Sequence, residues 1–451
     1  MIEKLLNELG YDVIEDNTMR SLQEEWMSWY QGFVKDFHEY VNYQGTNARH
    51  KRKRYSLGMA KTVSELWADN MYNPETTIEI SDEHAQEWWD RKRQEIKFDS
   101  NFNWIQELTF ALGTTATVQY YDGEVADVDY LTYDKIYPLE VRNGEVISCA
   151  FVSRYDDNSI YLNIHENVSG DNYIIHNLFF REKDDRFERF EVEGVEEMFS
   201  SAKKLFQIHK PAIVNNKSIH SPFGLSIFAN AIEELKSVDL AYDALTKEVE
   251  YGKIRVYLRS GAFDIDFDDG KTITVINPNQ EEFYLLAGED IDEGEQVTVS
   301  APQLREVLID FLNTQLNLLG RKAGLGDNAF SFDEGTIYTN TTQVVSTNSK
   351  FYKTRQKHGV VMEENIVDMI KALYLLEFDR ELEAPISVHM DDSIIHDKED
   401  SLNRALQLNR EGIVSDEYVV MEYLGMTEEE AIEFLKRQKE LMGNEEYYDE
   451  E

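Results

Sequence analysis

Only one cysteine, Cys149, occurs in 451 residues, so no disulfide can form within the chain, and thiol chemistry has no partner signal. It lies in the apolar run VISCAFV, where a small buried residue is expected. No apolar run reaches the ~20 residues needed to cross a bilayer. The opening MIEKLLNELGYDVIEDN is amphipathic and acidic, without the basic and apolar regions of an export signal. The expectation is a soluble protein that stays in the cytoplasm of the cell that makes it, where sequons such as Asn167-Val-Ser carry no weight. Positive charge is scarce as well: 45 Lys and Arg stand against 87 Asp and Glu, a formal charge of −42. That balance argues against a protein that wraps nucleic acid on its outer surface, because that mode needs a basic footprint to release phosphate counterions. An acidic surface is compatible with nucleic acid that slides past without sticking, and equally with plain solubility.

Catalytic signatures are missing too. There is no glycine-rich phosphate loop followed by Lys-Ser/Thr, no GxSxG, no HExxH and no paired cysteines. Asp264-Ile-Asp266-Phe-Asp268-Asp269-Gly270 resembles the start of a calcium loop, but Asp269 occupies the glycine position and Val275 the position of the bidentate Glu. Glu289 to Glu295 fails likewise, and both clusters are expected to be acidic turns. His165 and His176 fall in neighbouring strand patterns with no third ligand at metal spacing. No enzymatic activity, metal or cofactor is expected.

What is present is long helical periodicity around a β-rich middle, an α+β pattern that divides into several domains. The first 113 residues read mostly helical: Thr18 to about Tyr43 with an aromatic stripe from Leu22 to Tyr40, Leu57 to Asn70, a helix capped by Ser81, and Asn101 to Gly113. Arg49-His50-Lys51-Arg52-Lys53-Arg54 is the one strong basic cluster. It reads as a solvated loop or as a contact with the acidic surface of a neighbouring subunit, and a nucleic-acid or localisation patch is the alternative. From Thr114 to Gly194 apolar residues recur at period two, with hairpin turns at Asp122-Gly123 and Asn143-Gly144. A helix from Gly224 to about Tyr251 follows, then a small β patch from Ile254 to Val299.

Two further helical stretches, Ala301 to Lys322 and Asn340 to Leu375, flank an interruption, Gly324 to Thr339, that reads GLGDNAFSFDEGTIYT. The first is marked by Ser300 and Gln303 as a capping pair, the second by Asn340 and Gln343. The second would span about 50 Å at 1.5 Å per residue, longer than most helices of compact globules. Gly359 within it is a candidate kink. The interruption reads as a mechanical part, a connecting loop at the least.

The stretches SPFGLSIFANAIEELKSVDLAYDAL, LNTQLNLLGRKAGLGDNAFSFDEG and TNTTQVVSTNSKFYKTRQKH, in that order and spacing, resemble the portal proteins of tailed bacteriophages, in particular those of phages infecting Gram-positive hosts. KRYSLGMAKTVSELWADNMYN and the strands after Gly113 are similar to the same family's N-terminal region. The resemblance implies a ring of subunits, twelve in the capsid, at one vertex of the virion, assembled in the host cytoplasm and serving as the channel for double-stranded DNA. Its expected divisions are a wing over 1–222, with an antiparallel β region over 114–194, a stem helix over 223–252, a clip over 253–300 and a second stem helix over 301–323. A tunnel loop over 324–339, a long wing helix and return over 340–395 and a crown over 396–451 with a disordered acidic end complete it. Implied partners are the terminase large subunit, a head-completion adaptor, and the major capsid and scaffolding proteins, with no membrane.

In that frame Gly324, Gly326 and Gly335 would articulate the tunnel loop, while Asp327, Asn328, Ser331, Asp333, Glu334 and Thr336 would touch DNA without holding it. Lys253, Arg255, Arg259, Arg305, Arg321 and Lys322 are candidate stem residues that either face DNA or pair with acidic neighbours. The competing readings are a non-channel minor capsid or connector protein, and a metal-dependent hydrolase using Asp264 to Asp269.

Overall fold

A computed structural model of the protein describes residues 2–44, 48–121, 125–183, 186–251, 255–259, 264–266, 272–274, 283–286, 297–299, 305–326, 329–333, 336–339 and 349–390, and within 406–437 residues 406–407, 409–410, 414–424, 431–432 and 434–437. Along the chain lie α1 (Ile2–Glu8), α2 (Asn17–Tyr30), α3 (Lys35–His38), β1 (Glu39–Gln44), β2 (Ala48–Lys53), α4 (Met59–Met71), β3 (Thr77–Ile80), α5 (Glu83–Glu95) and α6 (Phe98–Leu112). The β-rich part comprises β4 (Thr115–Tyr121), β5 (Ala126–Thr132), β6 (Ile136–Arg142), β7 (Glu145–Asp156), β8 (Ser159–Ser169), β9 (Asn172–Lys183), β10 (Arg186–Phe190), β11 (Met198–Ser201) and β12 (Phe206–His209). Then come α7 (Ile232–Tyr251), β13 (Arg255–Arg259), β14 (Asp264–Asp266), β15 (Thr272–Thr274), β16 (Phe283–Leu286), β17 (Val297–Val299), α8 (Arg305–Lys322), β18 (Phe330–Asp333), β19 (Thr336–Thr339), α9 (Ser349–Phe378), β20 (Ile386–His389) and α10 (Asp416–Leu424). The mixed α+β class read from the pattern holds.

The period-two segments form antiparallel sheet as expected. β6 to β9 pair in sequence order, and β10 and β11 share the outer edge of β9. Asn143 and Gly144 both have positive φ, 55° and 82°, the tight turn that joins β6 to β7. Alternation along β7 divides the sheet between two cores. Cys149 and Phe151 pack with Phe206 and with the smaller sheet β12–β4–β5, whereas Ala150 on the other face packs with Leu162, Ile164 and with Leu5 and Leu6 of α1. Burial holds the Cys149 thiol far above its ordinary pKa, so it stays protonated and inert. His165 is buried at register opposite Cys149 and Ile175, while His176 on β9 stands near Glu166 and Tyr11.

Several helical expectations need correction. The stretch from Thr18 to Tyr43 is not one helix: α2 ends at Tyr30, with Gly32 at φ 76° and Phe33 N–H donating to Ser28 O, and residues 39–44 are strand β1 paired antiparallel to β2. β2 takes in Arg49 to Lys53, so the basic cluster lies on a strand rather than in a loop. Asp82, not Ser81, caps α5, its Oδ1 accepting from Ala85 N. The helix read from Gly224 begins only at Ile232. Residues 224–231 are held instead by the end of α6: Gly224 N donates to Thr114 Oγ1 at 2.8 Å and Ile227 N to Phe110 O at 2.9 Å. There the backbones of Gly113 and Gly224 touch, and a Cβ on Gly224 would stand 2.2 Å from Gly113 O. Asp264 and Asp266 belong to strand β14, paired with β15, rather than to a turn. The Asp122-Gly123 turn and the cluster Glu289 to Glu295 lie outside the described residues, as do residues 300–304 and 340–348 with their proposed capping pairs.

The largest core joins α2, α4, α6, the 223–241 region, α8, the start of the 330s hairpin and α9. α9 has 30 residues, about 45 Å of unbroken helix. Its buried face carries Phe351, Arg355, His358, Met362, Ile366, Met369, Ile370 and Leu373, whereas Tyr352 is exposed. Among the described residues no helix is long and apolar enough to cross a membrane.

Candidate functional site

The end of α8 shows how the interruption is built. Leu325 N–H donates to Gly320 O at 2.9 Å and Gly324 N–H to Arg321 O at 3.4 Å, the reciprocal pattern of a Schellman turn. It requires left-handed backbone at Gly324, where φ is 83°. Gly326 follows at φ 90°. The turn is also capped from outside, since Trp67 Nε1 donates to Ala323 O at 2.9 Å. Leu325 is fully buried, and a Cβ on Gly320 would lie 2.8 Å from Gly326 O. Close approach of two backbones thus explains the glycine at 320, and left-handed backbone the glycine at 326.

The interruption is not a plain loop. β18 and β19 form a hairpin with Phe330 opposite Thr339 and Asp333 opposite Thr336. Phe330 and Phe332 are buried and Ser331 between them is half-buried. Asn313 of α8 fastens the hairpin through both ends of its amide: Nδ2 donates to Phe332 O at 3.1 Å, and Oδ1 accepts from Phe332 N at 2.7 Å. Asp333 and Thr336 take part through their strand backbone, and Asp327, Asn328, Glu334 and Gly335 lie outside the described residues.

α7 and α8 pack together. Leu312, Leu316 and Leu319 of α8 are buried with Leu235 and Val238 of α7, but Val307 and Phe311 are exposed, as are Leu240 and Val249. Of the basic candidates, Lys322 pairs with Glu234 across the two helices at 2.7 Å, a favourable place for a cation because the last turn carries the negative end of the helix dipole. Arg305 and Arg321 are exposed at the two ends of α8. Arg255 and Arg259 sit at the ends of β13, opposite Val299 and Leu286 respectively, and Lys253 is outside the described residues.

α7 is anchored at its middle by a buried polar joint that periodicity did not point to. Asp239 accepts from His38 Nε2 at 3.0 Å, Ser56 Oγ at 2.9 Å and Leu57 N at 2.8 Å. Burial raises its pKa against those hydrogen bonds. One turn on, Asp243 accepts from Tyr55 N and pairs with Lys247. Two acids four residues apart on an apolar helix face were the available signal. Gly359 lies inside the continuous α9, and its missing side chain leaves room for Met390, whose Cε is 2.7 Å from where a Cβ would stand. Among the described residues no three His, Cys, Asp or Glu are placed to hold a metal ion.

The chain matches the family "Phage portal protein, SPP1 Gp6-like" over residues 13–443. It belongs to that family. The portal family is structural rather than enzymatic, and its place is in the virion capsid. Among solved structures, the portal chain is similar to a chain from the virion of a native gene transfer agent particle, at 11% identity, covering 82% of this chain and 88% of that one with a TM-score of 0.38. Similar chains occur in the neck of the empty particle computed with C6 symmetry (11%, 82% and 88%, TM-score 0.37) and in the neck of the native particle computed with C12 symmetry (11%, 80% and 87%, TM-score 0.35). All three likenesses are weak. No curated protein matches the portal chain.

Proposed function

We propose that this portal protein assembles as a ring, a dodecamer in the capsid, around a channel through which double-stranded DNA is packaged and ejected. The observation that carries the reading is the apolar surface left on the α7–α8 pair: Leu240, Val249, Val307 and Phe311 are exposed in the single chain, as expected of side chains that await a neighbouring copy. Identical copies joined through such a face make a heterologous contact, which closes when the rotation per subunit divides the circle.

In this reading residues 1–222 are the wing, 223–252 and 301–323 the stem, 253–300 the clip, 340–395 the long wing helix and return, and 396–451 the crown. The clip meets the terminase motor during packaging and a head-completion adaptor afterwards, with capsid and scaffolding proteins around the wing. Residues 324–339 project as the tunnel segment, whose Ser331, Asp333 and neighbouring polar groups touch the duplex weakly because like charge keeps contacts solvated. The Schellman turn at Gly324 and the clamp from Asn313 support a segment set at a fixed angle to the stem. The test is negative-stain electron microscopy of the purified protein. Annular particles with a central hole are expected, and compact monomers at every concentration would sink the proposal.

A further inference from the structure

We propose that the hairpin β1–β2 docks on a second copy of this chain, against the neighbour's segment 191–198. The inference rests on the ring reading and names a contact that the ring would use.

A two-stranded hairpin is marginally stable alone in water, and β1–β2 pairs with no other described strand. Its base is nevertheless held firmly. Arg54 N donates to His38 O at 2.8 Å, and the Arg54 guanidinium lies over the rings of Phe37 and Tyr40 at 4.8 and 4.7 Å. Lys247 of α7 donates to the Tyr40 hydroxyl at 2.7 Å, and the Asp239 joint ties the following residues to the same helix. The hairpin is therefore presented from α7 at a set position.

One face of this hairpin joins lysines to apolar side chains, with the exposed Glu39 at register opposite Lys53. Lys51 and Lys53 are exposed, with Val41, at register opposite Lys51, 44% exposed. Phe33 is 40% exposed beneath the Lys53 ammonium, which lies 5.1 Å from its ring. Phosphates make no use of an exposed valine and phenylalanine. An acidic protein surface with an apolar centre does, and segment 191–198 has that composition. Glu191, Glu193 and Glu196 are exposed there around Val195, 43% exposed, and Met198, 54% exposed.

Whole-molecule charge points the same way. Copies that each carry −42 repel one another, and bringing the one basic cluster onto an acidic segment offsets that repulsion at the point of contact. The two patches are different parts of the chain, so the contact is head to tail and is consistent with ring closure.

The test is charge reversal in the full chain, followed by electron microscopy and sedimentation at fixed salt. Lys51→Glu with Lys53→Glu is expected to keep the wild-type circular dichroism while raising the concentration needed for rings by roughly tenfold or more. Glu193→Lys with Glu196→Lys should do the same, and the chain carrying all four changes should recover rings. Rings unaffected by the lysine reversal overturn the inference, and so does failure of the combined chain to recover. Retention of rings with loss of binding to a DNA duplex would assign the hairpin to nucleic acid and overturn it as well. Wild-type protein that never forms rings removes the ring reading and this inference with it, whereas wild-type rings with indifferent variants remove this inference alone.

Discussion

His209 shows how single residues set the pH limits of this fold. Its Nδ1 receives the amides of Gln106 and Asn365 at 3.4 and 3.3 Å, and its Nε2–H donates to Thr117 Oγ1 at 3.0 Å. Thr117 in turn donates to Gln207. Both ring nitrogens are thus used by the neutral form, and burial pushes the imidazole down to about 3 from an ordinary 6.5. His165 is pushed down to about 3 and His358 to about 4 by the same desolvation. The unfolded chain takes up protons at these positions below about pH 6.5 while the folded chain does not, so stability is lost as pH falls through the window from 6.5 toward 4 and is level above it. Urea midpoints at pH 7 and pH 5 should differ accordingly. His209→Gln, which keeps a donor for Thr117, should shrink that difference; an equal pH dependence in the variant would show that His209 does not contribute.

Among the elements, the β18–β19 hairpin depends most visibly on a single attachment. Asn313 satisfies both backbone groups of Phe332, so Asn313→Ala removes two hydrogen bonds at a half-buried site, a cost of about 1–3 kcal/mol. Amide exchange at Phe332 should accelerate by roughly tenfold or more while α8 core amides keep their protection; unchanged exchange would mean that Phe330 and Phe332 packing alone holds the hairpin. The helices α8 and α9 flanking this hairpin were legible because leucine, isoleucine and methionine recur on one face. The hairpin itself was not, because four-residue strands with one polar turn offer too short a period to separate from loop. β1 was misread for a similar reason: Tyr40 continues the aromatic spacing of α2, and only pairing with β2 decides that the segment is extended. The late start of α7 depends on Gly113 meeting Gly224, a contact across more than a hundred residues that no local pattern contains.

For the molecule as a whole, the proposed channel makes a demand on the tunnel segment. Replacing Ser331, Asp333 and Thr336 by alanine spares Phe330 and Phe332, which share a core with Leu312, Leu316 and Leu319 of the stem. Rings should therefore form at wild-type yield, while packaged DNA per particle drops severalfold. Packaging at the wild-type level would remove the tunnel role without touching the ring.

The sequence by itself determined the α+β class, the antiparallel order of the central sheet, the long helices and the acidic character. These follow from periodicity, turn residues and charge, which are local or additive properties. The order of several degenerate stretches also pointed to the portal family, which the match over residues 13–443 bears out. Tertiary structure alone decided that the basic cluster is a strand, that Asp239 is a buried joint, and that the glycines after α8 close a packed turn. Each of those depends on which distant backbone or side chain arrives at the residue, and burial of a polar group or close approach of two chains cannot be read from either segment separately.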